Sequence, residues 1–223
     1  MLADLQTYSL ADFLPFSREV YLRLLERIHE AIFPWQAAAL MAGMLVILCC
    51  WHQKQRPALI LLAGAWMSVG IIFHIGFFSE LVWAAREFAY AFFVQAGLLL
   101  ILAIRTPATG TAGGLSFFTG WLLLVFSVVA FPLLSLLQTQ RLLQSELFSV
   151  MPDPTVIATA GVFCIFRHKN PLLFFIPLLW GLVSSALAKA LGHFSGFSVV
   201  LALALILMAG LLDTIKAMIK TRY

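Results

Sequence analysis

The sequence has little charge. Asp, Glu, Lys and Arg make up 11% of its 223 residues, against roughly 25% in soluble globular domains. Hydrophobic residues reach 62%, against a usual share of roughly 45–50%. So few polar side chains cannot cover the apolar surface of a folded chain in water. The composition therefore excludes an ordinary soluble domain and predicts an integral membrane protein.

Other features are also missing. Three cysteines are too few for a disulfide framework, and none has a spacing typical of metal ligands. The net charge of +4 comes without a run of basic residues, so it does not indicate a nucleic-acid partner. Motifs for nucleotide or haem binding are lacking. We therefore predict no metal, no cofactor, no catalytic residues and no enzymatic activity.

Long apolar stretches dominate what is there. A helix needs about 20 apolar residues to cross a bilayer. The candidate stretches are 31–51, 57–78, 82–104, 115–137, 154–166, 171–191 and 195–217. They predict an all-α membrane protein with about seven transmembrane helices, which together form one domain over residues 31–217.

The first 30 residues differ from this domain. Ser17 suits a helix N-cap, and apolar side chains follow it at helical spacing. These are Val20, Tyr21, Leu24, Leu25, Ile28 and Ile32. The pattern predicts an amphipathic helix within an extracytoplasmic segment, residues 1–30. Two placements stay open, one on the outer membrane surface and one as a cap over the outer loops.

The distribution of Lys and Arg predicts the orientation. One side of the predicted topology receives Lys54, Arg56, Arg105, Arg167, Lys169, Lys216, Lys220 and Arg222, with Asp213 as its only acid. The other side receives Arg18, Arg23, Arg27, Arg86, Arg141 and Lys189 with the other nine carboxylates. We expect the nearly acid-free side to be cytoplasmic. The N-terminus then faces outside, residues 218–223 form a cytoplasmic basic tail, and the protein is a multi-pass protein of the inner (plasma) membrane.

The fifth stretch is unusually short. Its roughly 13 residues give about 20 Å of helix, less than the roughly 30 Å of a hydrocarbon core. We expect the helix to begin at Pro154 with Asp153 as its N-cap, and the backbone of Ser149–Pro152 to be buried in protein. The free N–H groups of Thr155 and Val156 would favour an anion or carboxylate.

Polar side chains at membrane depth are costly, so each suggests a function. They gather near the predicted outer end, and Ser185, Lys189 and His193 share one helix face. A functional interpretation places seven of them in a cavity open to the outside that binds a small polar or anionic solute. The seven are His74, Arg86, Glu87, Tyr90, Gln95, Lys189 and His193.

A structural interpretation stands beside it. Here the charged groups pair with one another and hold the long outer loop, and the residues involved are Glu80, Arg141, Glu146 and Asp153. Arg86 is expected to pair with Glu146 or Asp153, because an unpaired guanidinium in the first turns of a span is costly. Lys189 is expected to pair with Glu87.

Several strings resemble a bacterial inner-membrane family of unknown function, whose members are often labelled permeases. The strings are Tyr8-x-Leu10-x-Asp12-Phe13-Leu14-x-Phe16-Ser17 with Tyr21-x-Arg23-Leu24, Trp83-Ala84-Ala85-Arg86, Glu146-Leu147-Phe148 with Pro152-Asp153-Pro154-Thr155, and Pro177-Leu178-Leu179-Trp180. The resemblance covers most of the chain and implies a multi-pass membrane protein.

Three functions follow as hypotheses. The first is a permease or solute-binding protein for a small polar or anionic solute. The second is a non-catalytic membrane component that works with a partner protein, and the third is a membrane-embedded enzyme. The bilayer is the expected partner, together with a second copy of the chain or a membrane protein.

Overall fold

A computed structural model describes residues 14–105, 113–168, 170–192 and 195–220. These residues are almost entirely helical and contain no strand, which confirms the predicted all-α class. Their α-helices are α1 Arg18–Ala31, α2 Gln36–Trp51, α3 Gln55–Val69, α4 Ala85–Arg105, α5 Leu115–Val125, α6 Phe131–Thr139, α7 Pro152–Ile165, α8 Leu172–Leu191 and α9 Ser195–Lys220.

Two helices contain π-helical turns. The segment Gly70–Phe77 continues α3 and is followed by a 3₁₀ turn at Phe78–Glu80. The segment Phe126–Ala130 joins α5 to α6, so that Leu115–Thr139 is one continuous helix. A second 3₁₀ turn, Leu142–Gln144, begins the loop before α7. π-Helical turns are rare and occur often at functional sites.

The count of seven spans is not supported. Four described helices are long and apolar enough to cross a bilayer: Gln55–Glu80, Ala85–Arg105, Leu115–Thr139 and Leu172–Leu191. The count rises to five if α1 and α2, which meet at 92°, form one bent span. The sequence overcounted because apolar composition does not report helix length. α2 has only 16 residues and α7 only 14, or about 24 and 21 Å of helix, and the apolar stretch Phe197–Asp213 of α9 is also too short to count as a span.

The outer surfaces of these helices are apolar. Phe118, Leu137, Leu182 and Leu207 are each 65% to 70% exposed, and many other large apolar side chains are exposed with them. Soluble proteins rarely expose apolar surface on this scale. The helices therefore fit a membrane protein.

α7 is the centre of the bundle. All 14 of its residues are buried, although the helix is too short to span a bilayer. Gly120 of α5 and Gly161 of α7 let the two backbones touch, since a Cβ added to either would lie 2.7 Å from the carbonyl oxygen of the other. Small residues allow such close packing between apolar helices.

The chain reaches α7 through buried irregular backbone. Residues Ser149, Val150 and Met151 are buried, and the Ser149 N–H donates to Thr155 Oγ1 at 2.9 Å. The expected short fifth helix with buried backbone before it is confirmed. It begins at Pro152, however, two residues earlier than predicted.

α1 lies across the same end of the bundle. Its N-cap is Ser17, as predicted, but the Ser17 hydroxyl donates to Glu19 at 2.7 Å rather than capping the helix. The buried face is Leu24, Leu25, Ile28 and His29, and it packs against the 142–144 turn. The described contacts favour the second of the two expected placements, in which α1 is a cap that covers a loop.

Candidate functional site

Asp153 is a buried acid at the start of α7. The expectation that it caps the helix is wrong, because the N-cap is Met151 and Asp153 lies inside the first turn. Its carboxylate turns sideways toward α8 and is 5% exposed. Trp180 Nε1–H donates to Oδ1 at 2.8 Å, and Ser184 Oγ lies 2.8 and 2.7 Å from the two oxygens. Neither donor carries a charge, so these bonds hold the carboxylate in place without neutralising it.

His74 is the second buried polar group. It lies in the π-helical segment Gly70–Phe77 and is fully buried. Neither ring nitrogen has a hydrogen-bond partner among the described residues. A neutral imidazole offers one N–H donor and one acceptor nitrogen, and a buried group left without a partner costs about 1–3 kcal/mol. An unpartnered pair of nitrogens at this depth favours a ligand or water that completes the site.

Aromatic rings surround His74. Five rings have centroids within 4.6 to 6.2 Å of the imidazole: Phe73, Phe78, Phe88, Phe92 and Trp180. Trp180 is the link between the two polar groups, because its ring lies 5.1 Å from His74 while its Nε1–H binds Asp153. We call His74, Asp153, Trp180 and Ser184 the buried polar cluster.

α1 covers this cluster from its end of the bundle. Tyr21 of α1 is partly buried, and burial of its phenol, together with the carboxylates of Glu146 and Asp153, raises the pKa of Tyr21 well above its usual value. The Tyr21 hydroxyl therefore lies near both buried acids. Glu146 is 2% exposed, so α1 closes over two carboxylates.

Polar contacts join α1 to its surroundings. Arg27 pairs with Glu80 at 2.7 Å, and Arg141 pairs with Glu26 at 3.0 Å. Hydrogen bonds from Arg141 and Gln144 lower the pKa of Glu26 below its usual value. The long loop is thus tied to α1.

Three of the seven predicted ligand-binding residues face away from the cluster. Arg86, Glu87 and Tyr90 are exposed on α4, as is the adjacent Trp83 at 88%. The buried face of α4 consists of Ala85, Ala89, Phe92, Gln95, Ala96, Leu99 and Ala103. Small residues on this face allow close helix packing, so the bulky and charged face points outward.

Of the other four predicted residues, two are buried near the cluster, one is exposed and one is not described. Lys189 is exposed, and His193 lies outside the described residues. His74 and Gln95 are both fully buried. Gln95 Nε2 donates to the carbonyl of Leu173 at 3.1 Å, whereas its Oε1 has no described partner. Gln95 follows Phe92 by one helical turn, which places it next to the aromatic rings around His74.

The predicted pairings of Arg86 and Lys189 are not found. Arg86 makes no ion pair with a described residue, and Asp153 is bound by α8 instead. An exposed guanidinium does not need a buried carboxylate, because its long side chain can keep the charge in a polar environment. Glu80 and Arg141 do form ion pairs, but with α1.

Sequence reasoning missed Trp180 and Ser184. They are four residues apart and lie in the buried stripe of α8, which runs Leu173, Ile176, Pro177, Trp180, Gly181, Ser184, Ala188 and Leu191. This spacing was visible in the sequence. The charge of Lys189 favoured the neighbouring face with Ser185 instead, yet Lys189 is exposed.

The opposite end of the bundle has a smaller polar group. Gln55 Nε2 and His168 Nε2 are 2.6 Å apart, and burial lowers the pKa of His168. A cavity of about 80 Å³ adjoins His168, Arg167, Ser116 and Asp213. Asp213 accepts hydrogen bonds from the backbone of Leu115 and Ser116 at 3.1 and 2.9 Å, which caps α5. These hydrogen bonds at the helix ends explain why Gln55, His168 and Asp213 are found there.

The buried polar cluster combines a carboxylate, an unpartnered imidazole and aromatic faces. No described group of three or more His, Cys, Asp or Glu side chains is arranged to hold a metal ion. A carboxylate in an apolar interior is stabilised by a positive charge, and aromatic faces attract cations. The arrangement therefore suits a small cation that also donates hydrogen bonds.

Comparison with known proteins identifies a family. The model of a family described as "Family of unknown function (DUF6064)" matches residues 18–220. No curated protein and no solved structure matches the chain.

Proposed function

Since the chain belongs to this family, whose function is unknown, we propose that it is a multi-pass membrane protein that binds a small solute through a protonated amino group. The binding site is the buried polar cluster, and the protein acts as a permease or solute-binding protein. The observation that carries the proposal is His74, which is fully buried with two unpartnered nitrogens beside the tryptophan that binds Asp153.

The chemistry of the site selects the charge of the solute. Asp153 makes no ion pair with a described residue, and Arg86 on α4 and Lys189 on α8 are exposed on the outside of the bundle. An ionised Asp153 would repel an anion. An ammonium group supplies the missing positive charge and three N–H donors, which suit Asp153 and the acceptor nitrogen of His74.

The position of α1 suggests the route of entry. Tyr21 lies over the two buried acids, and α1 is held by its buried face together with two exposed ion pairs. Exposed ion pairs are weak, typically about 0–1 kcal/mol. The ion pairs therefore add little to the cost of moving α1, and most of that cost lies in exposing its buried face. The partner-dependent component and the embedded enzyme stay predictions.

Uptake of a simple amine tests the proposal. Purified protein is reconstituted into vesicles, and accumulation of radiolabelled methylammonium is compared with that of radiolabelled acetate. We expect saturable methylammonium uptake or binding that is lost in Asp153→Asn and reduced at least tenfold in His74→Phe. Glu87→Gln is the matched control, because it removes an exposed carboxylate from the same protein.

Two outcomes would overturn the proposal. One is the absence of saturable methylammonium binding to the folded protein. The other is equal binding by wild type and Asp153→Asn. Acetate binding that depends on Arg86 would instead favour the anionic solute expected from the sequence.

A further inference from the structure

The segment from Ala31 to Trp51 exposes a surface without charge. Between these two residues there is no Asp, Glu, Lys, Arg or His. The exposed large side chains here are all apolar, namely Phe33, Trp35, Leu40, Met41, Met44, Leu45, Leu48 and Trp51. Exposed charges stand on both flanks, at Glu30 before the segment and at Lys54 after it. Because an exposed charge inside a hydrocarbon core is costly, the two flanks mark where such a core can begin and end.

The flanks of α2 lie at opposite ends of a neighbouring candidate span, Gln55–Glu80. Arg27 of α1, shortly before the bend into α2, pairs with Glu80 at one end of that span. Gln55 follows soon after α2 and contacts His168 at the other end. α2 therefore runs from one end of the candidate span to the other, although it has only 16 residues.

A tryptophan stands at each end of α2. Trp35 is the N-cap and Trp51 is the last residue, and both side chains are 72% exposed. Tryptophan is enriched at the headgroup level on both sides of a membrane. The helix rises about 24 Å between the two tryptophans, less than the roughly 30 Å of a typical hydrocarbon core.

A second helix gives a similar length. Trp51 meets Trp121 of α5 edge to face, with ring centroids 6.1 Å apart. From Trp121 the continuous helix runs about 27 Å to Thr139 without a charged residue, and the exposed Arg141 follows. Both helices therefore offer lipid an uncharged length that is shorter than a usual core.

We infer that α2 crosses the membrane by itself and that the hydrocarbon core beside it is thinned to about 24 Å, with Trp35 in one headgroup layer and Trp51 in the other. The inference rests on the proposed multi-pass membrane protein. Local thinning of the bilayer accommodates a short span at a modest cost. α1 and α2 are then not one bent span, because α1 stays outside the core, as its exposed Arg23 and Glu30 require.

Counting labels on each molecule tests the crossing. Glu30→Cys and His52→Cys are combined in one chain, both at exposed positions. The protein is reconstituted into sealed phosphatidylcholine vesicles and treated from outside with a membrane-impermeant maleimide. Intact mass counts the labels, and wild type gives the background from its native cysteines. We expect each molecule to carry one added label, whichever way it is inserted, and two after detergent opens the vesicles.

A matched pair on one side of the membrane is the control. Glu30→Cys combined with Arg86→Cys places both thiols at the end of the bundle where Arg27 meets Glu80. Each molecule should then carry two added labels or none in sealed vesicles. Met44→Cys, in the middle of α2, should stay unlabelled there.

The outcomes separate the inference from the proposed function. Two labels on the Glu30→Cys/His52→Cys protein in sealed vesicles would show that α2 turns back, and failure of Glu30→Cys to label from either side would show that α1 enters the membrane. Either result overturns the inference and leaves the amine site intact. Labelling of Met44→Cys in sealed vesicles would place α2 in water and overturn the multi-pass membrane protein as well.

The depth of the two tryptophans tests the thinning. Protein containing fluorotryptophan is studied by ¹⁹F NMR in vesicles with phosphatidylcholine spin-labelled at the headgroup or at the end of an acyl chain, and Trp→Phe variants assign the signals. We expect the headgroup label to broaden Trp35 and Trp51 more strongly than the chain-end label does. Trp66, which is fully buried, should be broadened least. Stronger broadening of Trp35 or Trp51 by the chain-end label would overturn the thinned bilayer.

Discussion

Trp180→Phe tests whether Asp153 is an ionised carboxylate. The substitution removes the Nε1–H that donates to Asp153 at 2.8 Å and keeps an aromatic ring. A hydrogen bond to a charged group contributes about 1.5–3 kcal/mol, against about 0.5–1.5 kcal/mol for a neutral pair. We therefore expect the free energy of unfolding to fall by about 1.5–3 kcal/mol, or Tm by about 3–12 °C for a chain of this size.

Trp66→Phe is a closely matched control. Trp66 is also buried and donates through Nε1–H over 2.8 Å, but to the neutral hydroxyl of Thr159. Both variants lose similar ring volume, so the packing cost largely cancels between them. Trp180→Phe should therefore cost about 1–1.5 kcal/mol more than Trp66→Phe.

A double-mutant cycle completes the test. In the Asp153→Asn background the acceptor is neutral, so the extra cost of Trp180→Phe should disappear. Unfolding is followed by tryptophan fluorescence during denaturant titration of the detergent-solubilised protein. Equal costs for the two tryptophans in the wild-type background would refute an ionised Asp153.

Three further predictions concern packing, acid stability and α1. Gly161→Ala should destabilise the fold by about 1–3 kcal/mol in thermal melts, because its Cβ would lie 2.7 Å from the Gly120 carbonyl oxygen. Gly97→Ala is the control and should be neutral or stabilising, because a Cβ there would have no atom within 4 Å. Burial lowers the pKa of His168 below its ordinary value of 6.5, so the stability it contributes should be complete above about pH 6.5 and fall as the pH drops toward the folded pKa. His168→Gln should flatten this fall in thermal melts recorded across pH. An unchanged profile would contradict a lowered pKa for His168. Leu25→Ala, at a fully buried position of α1, should lower the free energy of unfolding by about 2–5 kcal/mol and expose α1 to proteolysis. Glu26→Gln removes one ion pair and should lower it by about 1 kcal/mol or less. The opposite order would show that the ion pairs hold α1.

Composition and periodicity predicted the helical class and the amphipathic α1. These properties depend on local patterns that are complete within one segment. The short fifth helix was also predictable, because Asp153-Pro154 and the following apolar run limit its length. The burial of all of α7 was not, since it depends on the surrounding helices.

The candidate site shows a similar division. His74 was selected from sequence because a histidine in an apolar helix is costly. Arg86 and Glu87 were selected for the same reason, although they lie on the exposed face of α4. Charge indicates an unusual position but not the direction in which a helix face points. Trp180 and Ser184 were passed over because neither carries a charge, and only the packing of α7 against α8 brings them to Asp153.

The environment of the His74 ring nitrogens gives the most direct test of the amine site. Protein labelled with ¹⁵N-histidine is studied by NMR with and without methylammonium, and His74→Phe identifies the His74 resonances. We predict that methylammonium shifts the acceptor nitrogen of His74, that acetate does not, and that Asp153→Asn abolishes the shift. His74 resonances that stay unchanged at saturating methylammonium, in protein shown to be folded, would contradict the account.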